Sequence, residues 1–122
     1  MRRIRSKGTN FEKEIFNEIK KSGIKFKEHY AKIIGKPDIA LPRSKKAVFL
    51  HSDFWHGWQL PRWESILPSD FWKVKLRKNR KRDKKVLAVL RRQGWKAVVL
   101  WEHSFRNDRR RSIEKIIKFL RQ

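Results

Sequence analysis

The chain has 122 residues, with 34 lysines and arginines against 12 acids, a formal net charge of +22. A fold does not need that excess, and self-repulsion works against it, so it calls for a polyanionic partner. Nucleic acid fits better than an anionic membrane, since no segment reads as a long membrane-lying helix with one clean apolar face. The length suits one domain, 1–122, and the lack of cysteine excludes disulfides and thiolate metal sites.

The start, "MRRIRSKG", reads as a basic arm over about residues 1–9. It has no apolar stretch behind it and is not expected to be a signal peptide. "TNFEKEIFNEIKKSG" predicts a helix, with Thr9 as N-cap and Glu12 three residues on as its capping-box partner. Phe11, Ile15 and Ile19 recur every four residues, and Gly23 is a natural stop. "IKFKEHY" predicts a short strand with Ile24 and Phe26 on one face. "GKPDIAL" predicts a second strand entered at Pro37, "PRSKK" a turn, and "AVFLH" a strand buried on both faces.

Residues 51–69 read as a long loop, and loops of that length in a compact domain are often functional. Ser69 can cap a long helix through "DFWKVKLRKNRKRDKKVLAVLRRQ" that ends at Gly94. "WKAVVLW" predicts a strand. After a turn near "RNDRRR", "SIEKIIKFL" predicts an amphipathic helix with Ile113, Ile116, Ile117 and Leu120 on one stripe. The longest apolar runs, "AVFL" and "AVVLW", are too short to cross a bilayer. The order is α-β-β-β-α-β-α. Strands joined by a tight turn pair antiparallel, and a strand after a long helix returns as a parallel crossover. The expected fold class is therefore α/β, a small mixed sheet flanked by helices.

A few residues stand out chemically. Asp38 follows Pro37 at a strand mouth, where its carboxylate is either a Mg²⁺ ligand or the acid of a turn. Glu12 either caps its helix or bonds a metal-bound water. His56, in the aromatic loop "HSDFWHGW", is either a general base or a packed histidine, and His51 lies close by. Asp83 is the only acid in "KVKLRKNRKRDKK", where nine of thirteen residues are basic. It is either one partner of a weak surface pair or the acid that orients a histidine. Phe54, Trp55 and Trp72 fill a core or wedge between base pairs. The basic residues of the arm and the long helix, among them Arg2, Arg3, Arg5, Lys7, Lys75, Arg77 and Lys78, read as phosphate contacts.

In order and spacing these elements resemble the very-short-patch repair endonucleases, bacterial enzymes that nick DNA at a T:G mismatch. The matching stretches are "IRSKGTNFEKEI", "GKPDIALPRSKKAVFLH", "FWH", "FWKVKLRKNRKRDKKV", "QGWKAVVLWEH" and "FR". The resemblance implies a restriction-endonuclease-like core without the usual acid-x-Lys pair, a histidine taking over the base work. It implies one or two Mg²⁺ ions, with Asp38 and the backbone carbonyl of Leu50 as ligands. His56 would be the general base and Asp83 its partner. Glu12 and His51 would support the metal waters and the scissile phosphate. Phe54, Trp55 and Trp72 would form the intercalating wedge.

The family's cysteine-rich structural zinc site is not matched. Asp53 stands at one ligand position, Trp58 and Leu60 at the next two, and His103 at the last. Apolar side chains cannot ligate zinc, so no structural zinc is expected, and Asp53 is expected to pair directly with His103. The expected partner is double-stranded DNA, with other repair proteins as further partners, and the expected state is a cytoplasmic, nucleoid-associated monomer. Two rival readings remain on the same residues. One is a homing or mobile-element nuclease cutting an intact site; the other is a DNA-binding module without turnover.

Overall fold

The structure, a computed structural model, describes residues 10–53 and 70–122. Residues 1–9, expected to form a basic arm, and residues 54–69, with Phe54, Trp55, His56, Trp58, Leu60 and the expected cap Ser69, lie outside the described residues.

Helix α1 spans Asn10–Lys21 and buries Phe11, Ile15, Phe16 and Ile19, the stripe its four-residue spacing demands. Lys20 and Lys21 in its last turn suit the negative end of the helix dipole, and Gly23 follows in the left-handed region at φ +85°. Strand β1 covers only Lys27–Glu28, both exposed. Ile24 and Phe26, expected within it, instead precede it and pack against the core from the side. The ladder is short because it is an edge, and the chain swings away at His29, which has φ +46°.

Strand β2, Ile39–Leu41, begins two residues after Pro37. Strand β3, Lys46–His51, is buried along its whole length. Helix α2 follows at Asp70–Arg92, and strand β4 at Lys96–Trp101. The sheet order is β1-β2-β3-β4. The first two pairings are antiparallel and the third, β3 with β4, is parallel, as the tight turn and the helical crossover require.

The last helical segment differs from expectation. It is two helices, α3 at Glu102–Asn107 and α4 at Arg109–Arg121, with Asp108 between them. Asp108 caps α4 by accepting the Arg111 N–H at 3.1 Å. The expected turn near "RNDRRR" thus shrinks to one residue, because a single Asp both ends one helix and caps the next.

Alternation along β3 sorts its side chains into two cores. Val48 and Leu50 join Ile39, Leu100 and the apolar faces of α1, α3 and α4. Ala47 and Phe49 join Val86, Leu90 and Trp95 under α2. The domain is three layers deep, with β3 at its centre. The ends of β2 and β3 that carry Asp38 and His51 lie between these layers.

Candidate active site

The segment Gly35–Lys36–Pro37 is pressed against α2. A Cβ on Gly35 would stand 2.3 Å from Val86 Cγ1, and the residue has φ +83°, so both space and backbone demand glycine. Pro37 is fully buried. The chain therefore enters β2 along a fixed path, and Asp38 is delivered to the mouth of the sheet. Its Oδ2 accepts the Leu50 N–H at 2.7 Å. Burial pushes the Asp38 carboxyl up to about 6 from 3.8. The Leu50 N–H opposes that rise, the Glu12 charge adds to it, and His29 opposes it.

Glu12 belongs to the buried face of α1 and points at the site, although its position in the first turn also suits the helix dipole. Its Oε1 accepts from His29 Nε2 at 2.9 Å. Asp38 Oδ1 lies 3.8 Å from the same nitrogen. One ligand atom each of Glu12, His29 and Asp38 thus falls within 4.8 Å of the other two. His29 is absent from the expectations drawn from the sequence. It sits in a weak edge segment with no motif around it. Only the β1–β2 register, Glu28 opposite Ile39, brings it beside Asp38, where its N–H bonds the Asp38 carbonyl at 3.0 Å.

His51 ends β3 on the face that looks at α2. Its ring meets Trp101 edge-on at 5.0 Å, because His51 and Trp101 are register partners at the ends of the parallel pair. Asp83 Oδ2 stands 4.0 Å from His51 Nδ1. Along α2 the buried positions are Leu76, Val86 and Leu90, and Asn79 and Asp83 occupy the same stripe where helical spacing would place apolar residues. Both line a cleft of about 740 Å³ together with Asp38, Leu50 and His51. Lys36, Lys75, Arg82 and Lys85 also line it. Asn79 too was missed, although a polar residue on an apolar stripe is a signal that the sequence contains.

The structure thus brings Asp38, Leu50, His51 and Asp83 to one cleft, with Glu12 at hydrogen-bond distance from His29 behind Asp38. The expected pairing of Asp83 with His56 lies outside the described residues, and the described histidine beside Asp83 is His51. Of the expected phosphate contacts on α2, Lys75 lines the cleft, and Arg77 and Lys78 are exposed. Trp72 packs edge-on with Phe71 at 5.4 Å, and Phe71 is 63% exposed. Away from the cleft, Asp53 Oδ1 accepts from both the His103 N–H, at 3.2 Å, and His103 Nδ1, at 2.7 Å.

Chemically, this is a set of hard oxygens and imidazoles rimmed by cations. Oxygen ligands suit a divalent cation, and the lysines and arginines suit a phosphate group. Among the described residues, no helix is long and apolar enough to cross a membrane.

Residues 1–62 match the family model described as DNA mismatch endonuclease Vsr. The chain is 36% identical over 107 residues to the Type II nicking enzyme V.XorIIP of Xanthomonas oryzae pv. oryzae, covering 84% of this chain and 76% of that protein. It is 34% identical to the Type II nicking enzyme V.NmeAIP of Neisseria meningitidis serogroup A, over 88% of this chain and 77% of the relative. It is 26% identical to the DNA mismatch endonuclease Vsr of Escherichia coli K12, over 100% of this chain and 79% of the relative.

Proposed function

Because this chain belongs to the DNA mismatch endonuclease Vsr family and is a DNA endonuclease, we propose that it uses Mg²⁺ to nick one strand of a duplex at or near a T:G mismatch. The products are a 5′-phosphate and a 3′-hydroxyl. The observation that carries this reading is the meeting of Asp38, Leu50, His51 and Asp83 in one cation-lined cleft.

The residues fit a hard divalent ion. The Leu50 N–H occupies Asp38 Oδ2 and leaves Oδ1 directed toward Glu12 and His29. The Leu50 N–H bond to Asp38 brings the Leu50 backbone beside that carboxylate, which supports the Leu50 carbonyl as the second ligand. Burial of Asp38 beside Glu12 concentrates negative charge that a divalent cation would offset. When bound, Mg²⁺ would stabilise negative charge on the phosphate and the departing 3′ oxygen.

The protein's own groups do the rest. His56 takes a proton from the attacking water, the new P–O bond forms, and the bond from phosphorus to the 3′ oxygen breaks, that oxygen taking a proton from solvent to become the 3′-hydroxyl. Asp83 stabilises the imidazolium so formed, and His51, beside Asp83, holds a phosphate oxygen. Glu12 orients water at the metal position. Lys75, Arg77, Lys78 and the arm residues Arg2, Arg3, Arg5 and Lys7 grip the backbone, and Phe54, Trp55 and Trp72 open the stack. The protein acts as a cytoplasmic monomer on double-stranded DNA, with other repair proteins as further partners. We infer no structural zinc, a reading that the direct Asp53–His103 hydrogen bond supports.

A nicking assay on duplexes that differ only in one T:G, T:A or C:G pair, with Mg²⁺ or with chelator, tests the reading. The expected result is a single-strand nick on T:G duplex that needs Mg²⁺. Equal cutting of matched duplex would favour the mobile-element reading. Tight binding with no cleavage of any duplex would favour the binding module.

A further inference from the structure

His29 touches both carboxylates behind the cleft, and no role has been given to it. We propose that His29 is a positioning residue that holds Glu12 and Asp38 in the geometry needed to receive a divalent cation. The inference rests on the nuclease reading for its link to catalysis, but not for its link to metal binding.

The first support is the double attachment. The imidazole Nε2 bonds Glu12 Oε1 at 2.9 Å, and the main-chain N–H of the same residue bonds the Asp38 carbonyl at 3.0 Å. One residue thus ties α1 to the mouth of β2. The second is burial. The Glu12 and Asp38 side chains retain only 9% and 16% of their exposure, so two acids from different elements are held close together out of water. A donor set between them holds the two side chains at their close spacing. The third is the conformation. His29 adopts φ +46°, a left-handed conformation that is uncommon for non-glycine residues and strained when the surroundings impose it. An exposed edge strand has no need of such a turn. Here it swings the ring inward, where it rests edge-on against Phe16 of α1 at 5.7 Å.

A donor that fixes a ligating or water-orienting carboxylate typically contributes about 10- to 100-fold in metal affinity or activity. Two substitutions separate this from simple propping of the edge strand. His29→Asn tolerates the left-handed backbone but is too short to reach Glu12. His29→Gln keeps an N–H donor at comparable reach. Binding of Mn²⁺ to the free protein, followed by electron paramagnetic resonance, gives a readout that does not depend on turnover. Single-turnover nicking at saturating DNA and thermal melting complete the set.

The expected result is a loss of about 10- to 100-fold in Mn²⁺ affinity and in the nicking rate for His29→Asn. DNA affinity in chelator should not change, and His29→Gln should recover most of the loss. Wild-type Mn²⁺ affinity in His29→Asn would overturn the proposal. So would a folded His29→Gln that falls as far as His29→Asn. If the wild type nicks no duplex at all, the nuclease reading fails, while the Mn²⁺ titration still decides the role of His29.

Discussion

Asp83 Oδ2 lies 4.0 Å from Nδ1 of His51, so the one acid of a strongly cationic helical stretch faces the end of the central strand. Its neighbours Lys84 and Lys85 are exposed, whereas Asp83 is partly buried on the cleft side. A solvated helix face would not place its only acid inward. Asp83→Asn retains the shape and removes the charge. Its single-turnover nicking rate should fall about 10- to 100-fold, while stability moves by about 1 kcal/mol or less. Rate and melting temperature measured on the same preparation check both statements.

Asp38 makes the metal-free protein pH-sensitive. Its carboxyl is pushed up to about 6 in the folded chain, against 3.8 when unfolded. Between those values the folded state binds more protons than the unfolded one. Its contribution is thus fully present below about pH 4 and is lost as pH rises through 6. The loss is about 3 kcal/mol at most. In metal-free denaturant melts, Asp38→Asn should be more stable than wild type at pH 7 and equal to it near pH 4, and it should not nick. A variant less stable than wild type at pH 7 would contradict this account.

Gly35 has no room for a side chain, since an added Cβ would meet Val86 Cγ1 at 2.3 Å with the backbone already at φ +83°. Gly35→Ala should destabilise the fold by about 1–3 kcal/mol through overpacking and strain. It should also displace Asp38, so melting temperature and nicking rate should fall together.

The cations around the cleft should act through phosphate charge. Lys75, Arg82 and Lys85 line it. Replacing one of them with Gln should reduce the slope of log affinity against log salt by about 0.9 for each phosphate contact removed. Binding to T:G and matched duplexes should weaken alike, as anisotropy titrations across a salt series will show.

The Asp53–His103 contact carries a zinc prediction. Asp53 Oδ1 already accepts two hydrogen bonds from His103. Purified protein should hold substoichiometric zinc, and strong chelator should leave its melting temperature unchanged. Asp53→Ala should lower stability by about 1–3 kcal/mol, because it removes the acceptor for both groups. Tight zinc at one per chain would refute this reading.

The sequence by itself determined the element order and most of the pairing. The stripe Phe11, Ile15, Ile19 and the buried run at Lys46–His51 are periodic signals within a single element. Turn chemistry and a helical crossover then leave few ways to arrange four strands. Asp83 stands out by its isolation among cations, whereas Asp38, by its place after proline alone, reads first as the acid of a turn. Less was legible where one residue serves two elements: Asp108 both closes α3 and caps α4, and the sequence alone reads as a longer turn.

Tertiary structure alone decided what those acids face. Glu12 reads equally as a helix cap or a site carboxylate, and the packing of α1 against the sheet turns it toward His29, seventeen residues along the chain. His29 has no signal of its own, because its role arises from β1–β2 register and an uncommon backbone conformation. The physical reason is one of range. Periodicity records which face of an element avoids water, whereas the meeting of polar groups from different elements depends on long-range packing that no local pattern encodes.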